Sequence, residues 1–204
     1  MDYERIRATL ARDEGCNLQR HDVQGTDHIG YGFNLEIEWS NEKLDFLGVE
    51  DEDDIQEITQ AQADTILDDE IKRFSEQTER IYADIWEELS PLRQEVLVNL
   101  CFNLGQAGLR KFRKMNAAIR EGQYAEAAKH MLDSKAARQT GQRYIRLSRA
   151  FSTNNEAELQ LDRLYDVPVA TAEDVLEGDK FIAIPLSDAS DKELLDEIAR
   201  RMGT

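Results

Sequence analysis

Glu14 and Asp22 are the two residues of this chain whose types and spacing best suit acid–base chemistry. Glu14 ends a helical pattern and is followed by Gly15, whereas Asp22 opens a glycine-rich turn. A carboxylate at the C-terminal end of a helix sits in the negative field of the helix dipole, which favours its protonated form. A loop carboxylate feels no such field. One carboxyl group that donates a proton and one that stays charged is the division of labour that cleavage of a glycosidic bond requires. His28 adds a third group. As a neutral ring it can act as a base, as a cation it can pair with Asp22, and its nitrogen can itself attack a sugar carbon. His21 and His130 lack the spacing of metal ligands, so no metal site and no cofactor are predicted. Cys16 and Cys101 form no disulfide framework, and Cys101, inside an apolar helical run, reads as a small core residue.

The elements that must position these groups are legible along the chain. Tyr3, Ile6 and Leu10 repeat at helical spacing up to Glu14, and Gly15 is a natural C-cap. Residues 18–35 carry Gln24-Gly25 as a turn signal and alternate Ile29, Tyr31 and Phe33, which predicts a small β-hairpin or three-stranded sheet. Thr59-Gln60-Ala61-Gln62 has the form of a capping box and precedes a face of Ala63, Ile66, Leu67, Ile71 and Phe74. Ser90-Pro91 starts a further helix whose run from Leu92 to Leu104 is apolar nearly all round, the mark of a buried central helix, with Gly105 and Gly108 ending it. Shorter helices are predicted near 109–120, 124–133 and 140–151. After Asn154-Asn155 the character changes. Val167-Pro168-Val169 and Phe181-Ile182-Ala183-Ile184 read as short strands, and a last helix runs to about Met202.

The chain has 204 residues, enough for one domain of about 150 residues and an appendage, and its apolar fraction of 41% supplies a core. No stretch approaches the roughly 20 apolar residues of a membrane span, and the N-terminus lacks the apolar core of a signal peptide. The net charge of -17 is unevenly spread: residues 36–88 carry a net -15 and residues 89–151 a net +8. Each run reads either as a solvated helix face or, for the basic third, as a surface turned to an anionic ligand.

Glu14-Gly15, Asp22 and His28-Ile29-Gly30-Tyr31-Gly32, taken in order, resemble the signature of the phage T4-type lysozyme family, glycoside hydrolases of phage endolysins. That signature is a Glu-Gly at the end of the first helix, an Asp eight or nine residues later, and then Thr-Ile-Gly-x-Gly. Downstream, Ile58-Thr59, the segment Asn99-Leu100-Cys101-Phe102-Asn103-Leu104-Gly105 and the segment Gln139-Thr140-Gly141-Gln142-Arg143 resemble the family's interdomain helix, its central helix and the segment whose Arg pairs with the catalytic Glu. The resemblance covers residues 1–153 and leaves 155–204 outside it. It departs from the family in two places: the Glu14–Asp22 spacing is one residue shorter than in the closest members, and His28 stands where Thr is usual.

The resemblance implies a mostly helical α+β, two-lobed fold. A small lobe with the sheet (about 1–58) joins through a long helix (about 60–80) to a helical lobe (about 90–153). The catalytic domain spans 1–154, and 155–204 form an acidic appendage, read as a small α+β element. The implied activity is hydrolysis of the β-1,4 bond between N-acetylmuramic acid and N-acetylglucosamine in peptidoglycan, leading to lysis of the host cell. Glu14 matches the general acid, Asp22 the second carboxylate and Arg143 the residue that holds Glu14 in place. Asn34, Phe102, Met115 and His130 fall where the sugar is contacted, with Phe102 and Met115 equally readable as core. The implied partner is the glycan strand, with no nucleic acid and no membrane insertion, and the protein is expected to be a monomer. It would be made in the host cytoplasm and reach the wall through a holin or within the virion. The competing expectation is a non-catalytic wall-binding or structural phage component that kept the fold.

Overall fold

The computed structural model describes residues 1–36 and 45–160, so the strands and last helix predicted beyond Gln160 lie outside the described residues. Helix α1 (Tyr3–Glu14) starts at Asp2, whose side chain accepts from the Arg5 N–H, and stops at Gly15, where φ is 68°. A three-stranded antiparallel sheet follows in the order β1 (Asn17–Val23), β2 (Thr26–Gly30), β3 (Phe33–Asn34). Gln24 and Gly25 both take positive φ, as a two-residue hairpin turn matched to strand twist requires. Ile29 and Phe33 face each other across β2 and β3 and enter a small core with Leu35, Ile55, Ile58, Ala63 and Ile66.

Helix α2 (Gln60–Ile81) opens with the predicted capping box, Thr59 and Gln62 each bonding the other's backbone. Its N-terminal half lends Ala63 and Ile66 to the small core. Its later residues Leu67, Ile71, Phe74 and Ile81 enter a second, larger core. One helix thus ties two cores together, which is the physical basis of the two lobes. Thr59→Ala removes an exposed cap and should cost about 1 kcal/mol, read as a lower midpoint of denaturant unfolding at unchanged slope.

The larger core is built by α3 (Pro91–Lys111), α4 (Arg113–Arg120), α5 (Tyr124–Leu132), α6 (Lys135–Thr140) and α7 (Gln142–Thr153). Ser90 caps α3 with Pro91 in its first turn. The chain breaks from helical geometry at Gly105 (φ 69°, ψ 162°) but resumes its helix past Gly108 to Lys111. Gly105 alone therefore acts as the stop expected of both glycines, because only there does the backbone take a conformation that favours glycine.

Helix α1 differs from its predicted place. The sequence groups it with the small lobe, yet Ile6 and Leu10 belong to the larger core, and the Arg5 guanidinium is bonded to the buried Glu95 of α3 at 2.7 Å. Its apolar stripe is satisfied by the helical lobe, so Glu14 is mounted on that lobe and the sheet faces it from the other. The body also continues past Asn154. A 3₁₀ turn at Glu156–Gln160 places Leu159 in the larger core, and Arg12 donates to the Leu159 carbonyl at 2.6 Å.

Candidate active site

Glu14 ends α1 with its side chain about one-fifth exposed. The Arg143 guanidinium reaches it from α7, Nη1 donating to Oε1 at 2.7 Å. Arg143 is itself buried and committed in three directions: Nε donates to Asn99 Oδ1 at 2.9 Å and Nη2 to the Asn99 carbonyl at 3.3 Å. Asp13, its side chain fully buried beside Glu14, lies 3.5 Å from Arg143 Nε and 2.6 Å from Arg146 Nη2, and accepts from Asn99 Nδ2 at 3.1 Å. Buried charges persist only where each finds partners. Here two guanidiniums, two carboxylates and one amide meet that condition together and hold Arg143 against Glu14.

Sequence reasoning named Arg143 and passed over Asp13, Asn99 and Arg146. The signals were present. Asn99 is polar inside an otherwise apolar run, and Arg143 and Arg146 stand three apart on one face of α7.

The second wall is the glycine loop. Gly32 takes φ of 77°, and a Cβ built on it would lie 3.9 Å from Glu14 Oε2 with no other atom closer, so the loop backbone passes directly beside the carboxylate. On the hairpin, His21 pairs with His28, His28 with Asn34, and Asp22 with Asp27. Directly opposed residues share a sheet face and successive residues alternate. His21, His28 and Asn34 therefore line one face, while Asp22 emerges with Asp27 on the other. His28 Nδ1 lies 2.9 Å from the Thr26 carbonyl, which can only accept, so Nδ1 carries the hydrogen and Nε2 is the nitrogen left for a ligand. Asp22 is exposed near the hairpin tip. The structure brings Glu14 and Arg143 into contact, and it puts Asp22 and His28 on opposite faces of the hairpin.

A groove of about 130 Å³ opens between the lobes, lined by the loop Tyr31–Asn34, by α2 and by Phe102. Phe102 packs on Phe74 with ring centroids 4.9 Å apart. Glu70 and Arg73, its two charged lining residues, form an ion pair with each other. Asn34 and Phe102 thus lie in the groove. Met115 is 1% exposed in the larger core, which is the other reading the sequence left open for it. His130, on α5, has Nε2 3.4 Å from Glu126 Oε1 and is not part of the groove lining. Of the exposed cations of the basic third, Arg110, Lys111, Arg113 and Lys114 stand at the corner of α3 and α4, while Arg120, Lys129, Lys135 and Arg138 are spread over α4, α5 and α6, and none of them lines the groove. Among the described residues no helix is long and apolar enough to cross a membrane.

A family model described as phage lysozyme matches residues 11–149. No curated protein matches the chain significantly.

Proposed function

The chain belongs to the phage lysozyme family, whose members are peptidoglycan hydrolases, and from that premise we propose that it cleaves the bond from N-acetylmuramic acid to N-acetylglucosamine and so lyses the host cell. The observation that carries the reading is the Glu14–Arg143 contact, made at a helix end, beside a glycine backbone and next to an inter-lobe groove.

In this reading Glu14 is the general acid that gives its proton to the glycosidic oxygen as the bond breaks. Arg143 sets the rotamer of Glu14, and its own ties to Asn99 and Asp13 keep it from swinging to substrate. Gly32 leaves room for the sugar ring to approach the acid, because it presents no side chain. Asn34 and Phe102 offer the groove an amide and an aromatic face, a common pairing for a sugar with polar edges and apolar faces. His28 Nε2 can hold the attacking water where the family usually has a Thr hydroxyl. Asp22 is the second carboxylate of this reading; standing on the hairpin face opposite His28, it contributes its charge through space to the oxocarbenium-like transition state and makes no contact with the water that His28 holds.

The opposite placement of Asp22 and His28 makes their roles separable. Purified peptidoglycan digested by the wild type and reduced with borohydride should yield muramitol derivatives at the new ends. New ends of reduced N-acetylglucosamine, or no new reducing ends, would sink the bond assignment. In the same assay Asp22→Asn should slow the reaction about 100-fold, in line with loss of a charge used in the transition state. His28→Thr should keep activity within about tenfold, since a hydroxyl can also orient water. The anomer released, followed by proton NMR, then reports which face the water attacks. An unchanged rate for Asp22→Asn would remove that residue from the mechanism.

A further inference from the structure

We propose that Tyr31 is a positioning residue for Glu14: by tying the glycine loop to α2 it fixes the backbone that bounds the catalytic carboxylate. The proposal rests on the reading of Glu14 as the acid.

Tyr31 stands between two residues of positive φ, Gly30 (63°) and Gly32 (77°), so the loop reverses tightly around it. Glycines impose no conformation of their own, and such a loop needs an external anchor to hold one shape. Tyr31 provides it. Its hydroxyl donates to Asp64 Oδ1 at 3.0 Å and accepts from Gln60 Nε2 at 2.9 Å, both on the first turns of α2. Gln60 Nε2 also donates to Asp64 Oδ1 at 2.8 Å, closing a triangle. The ring of Tyr31 packs against both cores, so the residue sits at the junction of the lobes.

The anchor continues to the helix that carries Glu14. Arg7 of α1 lies 3.2 Å from Asp64 Oδ2 and donates through Nε to Asp68 Oδ1 at 2.7 Å. Arg7 precedes Glu14 by seven residues, two helical turns, and so shares its side of α1. Asp64 therefore holds the loop through Tyr31 and α1 through Arg7. The next residue of the loop, Gly32, is the one against Glu14 Oε2. Burial, followed by the hydrogen bond to Asp64, pushes the Tyr31 phenol above its ordinary pKa, and bonds from Gln60, Tyr31 and Arg7 hold the Asp64 carboxyl below its own. A neutral phenol donating to a charged carboxylate is the stronger form of this bond.

The test compares Tyr31→Phe and Asp64→Asn in the full chain, well below the unfolding midpoint of each. Three quantities are read: kcat and KM on purified peptidoglycan, and the NMR resonance of the Glu14 side-chain carboxyl carbon. A displaced loop should lower kcat about tenfold with KM within about twofold, since small misplacements near the reacting atoms are expensive. The Glu14 resonance should move in both variants, and the double variant should be no worse than either single one. A loss of stability alone, with kcat and the Glu14 resonance unchanged, would overturn the proposal, as would a fall in kcat without movement of that resonance. If the wild type does not hydrolyse peptidoglycan, the reading of Glu14 as acid fails, and the resonance still decides whether Tyr31 positions it.

Discussion

Glu14→Gln should abolish wall hydrolysis, with kcat/KM down at least about 1000-fold, while the protein stays folded. General acid catalysis supplies about 100- to 10,000-fold, and an amide cannot give up a proton to the leaving oxygen. Each tenfold loss corresponds to about 1.4 kcal/mol of transition-state stabilisation, so about 4 kcal/mol is at stake. The fold should tolerate the change. Gln is nearly isosteric, and its amide oxygen can still accept from Arg143 Nη1, now 2.7 Å from Oε1. Arg143 keeps Asn99 as acceptor and Asp13 as counter-charge. The cost to stability is that of weakening one charged hydrogen bond, about 1–2 kcal/mol. Initial rates of turbidity loss on Gram-negative walls, with a denaturant midpoint for each protein, check both halves. Retention of more than a tenth of the wild-type rate would exclude Glu14 as the acid, and a wild type that clears walls no faster than Glu14→Gln would return the chain to the wall-binding reading.

Arg143→Ala is the second large effect, and it should strike stability and activity together. Arg143 is 6% exposed, and its removal takes the donor from Asn99 Oδ1 and one of the cations facing the buried Asp13 carboxylate. Breaking a buried ion pair by deleting one partner costs about 3–5 kcal/mol, so the unfolding midpoint should fall well below that of any surface variant. Activity measured where the variant is still folded should drop about 100-fold, because Glu14 loses the contact that fixes its rotamer. Arg143→Lys should rescue little. An ammonium is a point charge and cannot serve Glu14, the Asn99 side chain and the Asn99 carbonyl from one plane. The coupling is the sharper check. If Arg143 acts through Glu14, then in a Glu14→Gln background Arg143→Lys should cost almost no further activity. Additive losses would mean that Arg143 acts on the substrate independently.

The two variants touch one buried assembly from opposite ends. Its members come from α1, α3 and α7, so the acid is positioned by the helical lobe, whereas the glycine loop, His28 and Asp22 belong to the sheet lobe. Any motion of one lobe against the other changes the distance from Glu14 to the groups that face it. The anchor of Tyr31 on Asp64 lies at that junction.

The sequence by itself determined the elements and the chemical identities. Apolar positions at helical spacing, the capping box at Thr59, Ser90-Pro91, Gly15 and the Gln24-Gly25 turn are local signals, and local signals act through hydrogen bonds and dihedral preferences within a few residues. They place Glu14 at a helix end and His28 on a strand without knowledge of anything distant. The tertiary structure decided which elements share a core, and with that which charges meet. Helix α1 joins the helical lobe because Ile6 and Leu10 are buried there, a choice that a stripe of apolar residues does not encode alone. The contacts of Asp13 with Asn99 and Arg146 and of Tyr31 with Asp64, and the placing of Gly32 beside Glu14, all join elements far apart in the chain or on different lobes. So does the division of Asp22 and His28 between two faces, because a strand register that differs by one residue exchanges every side chain between them.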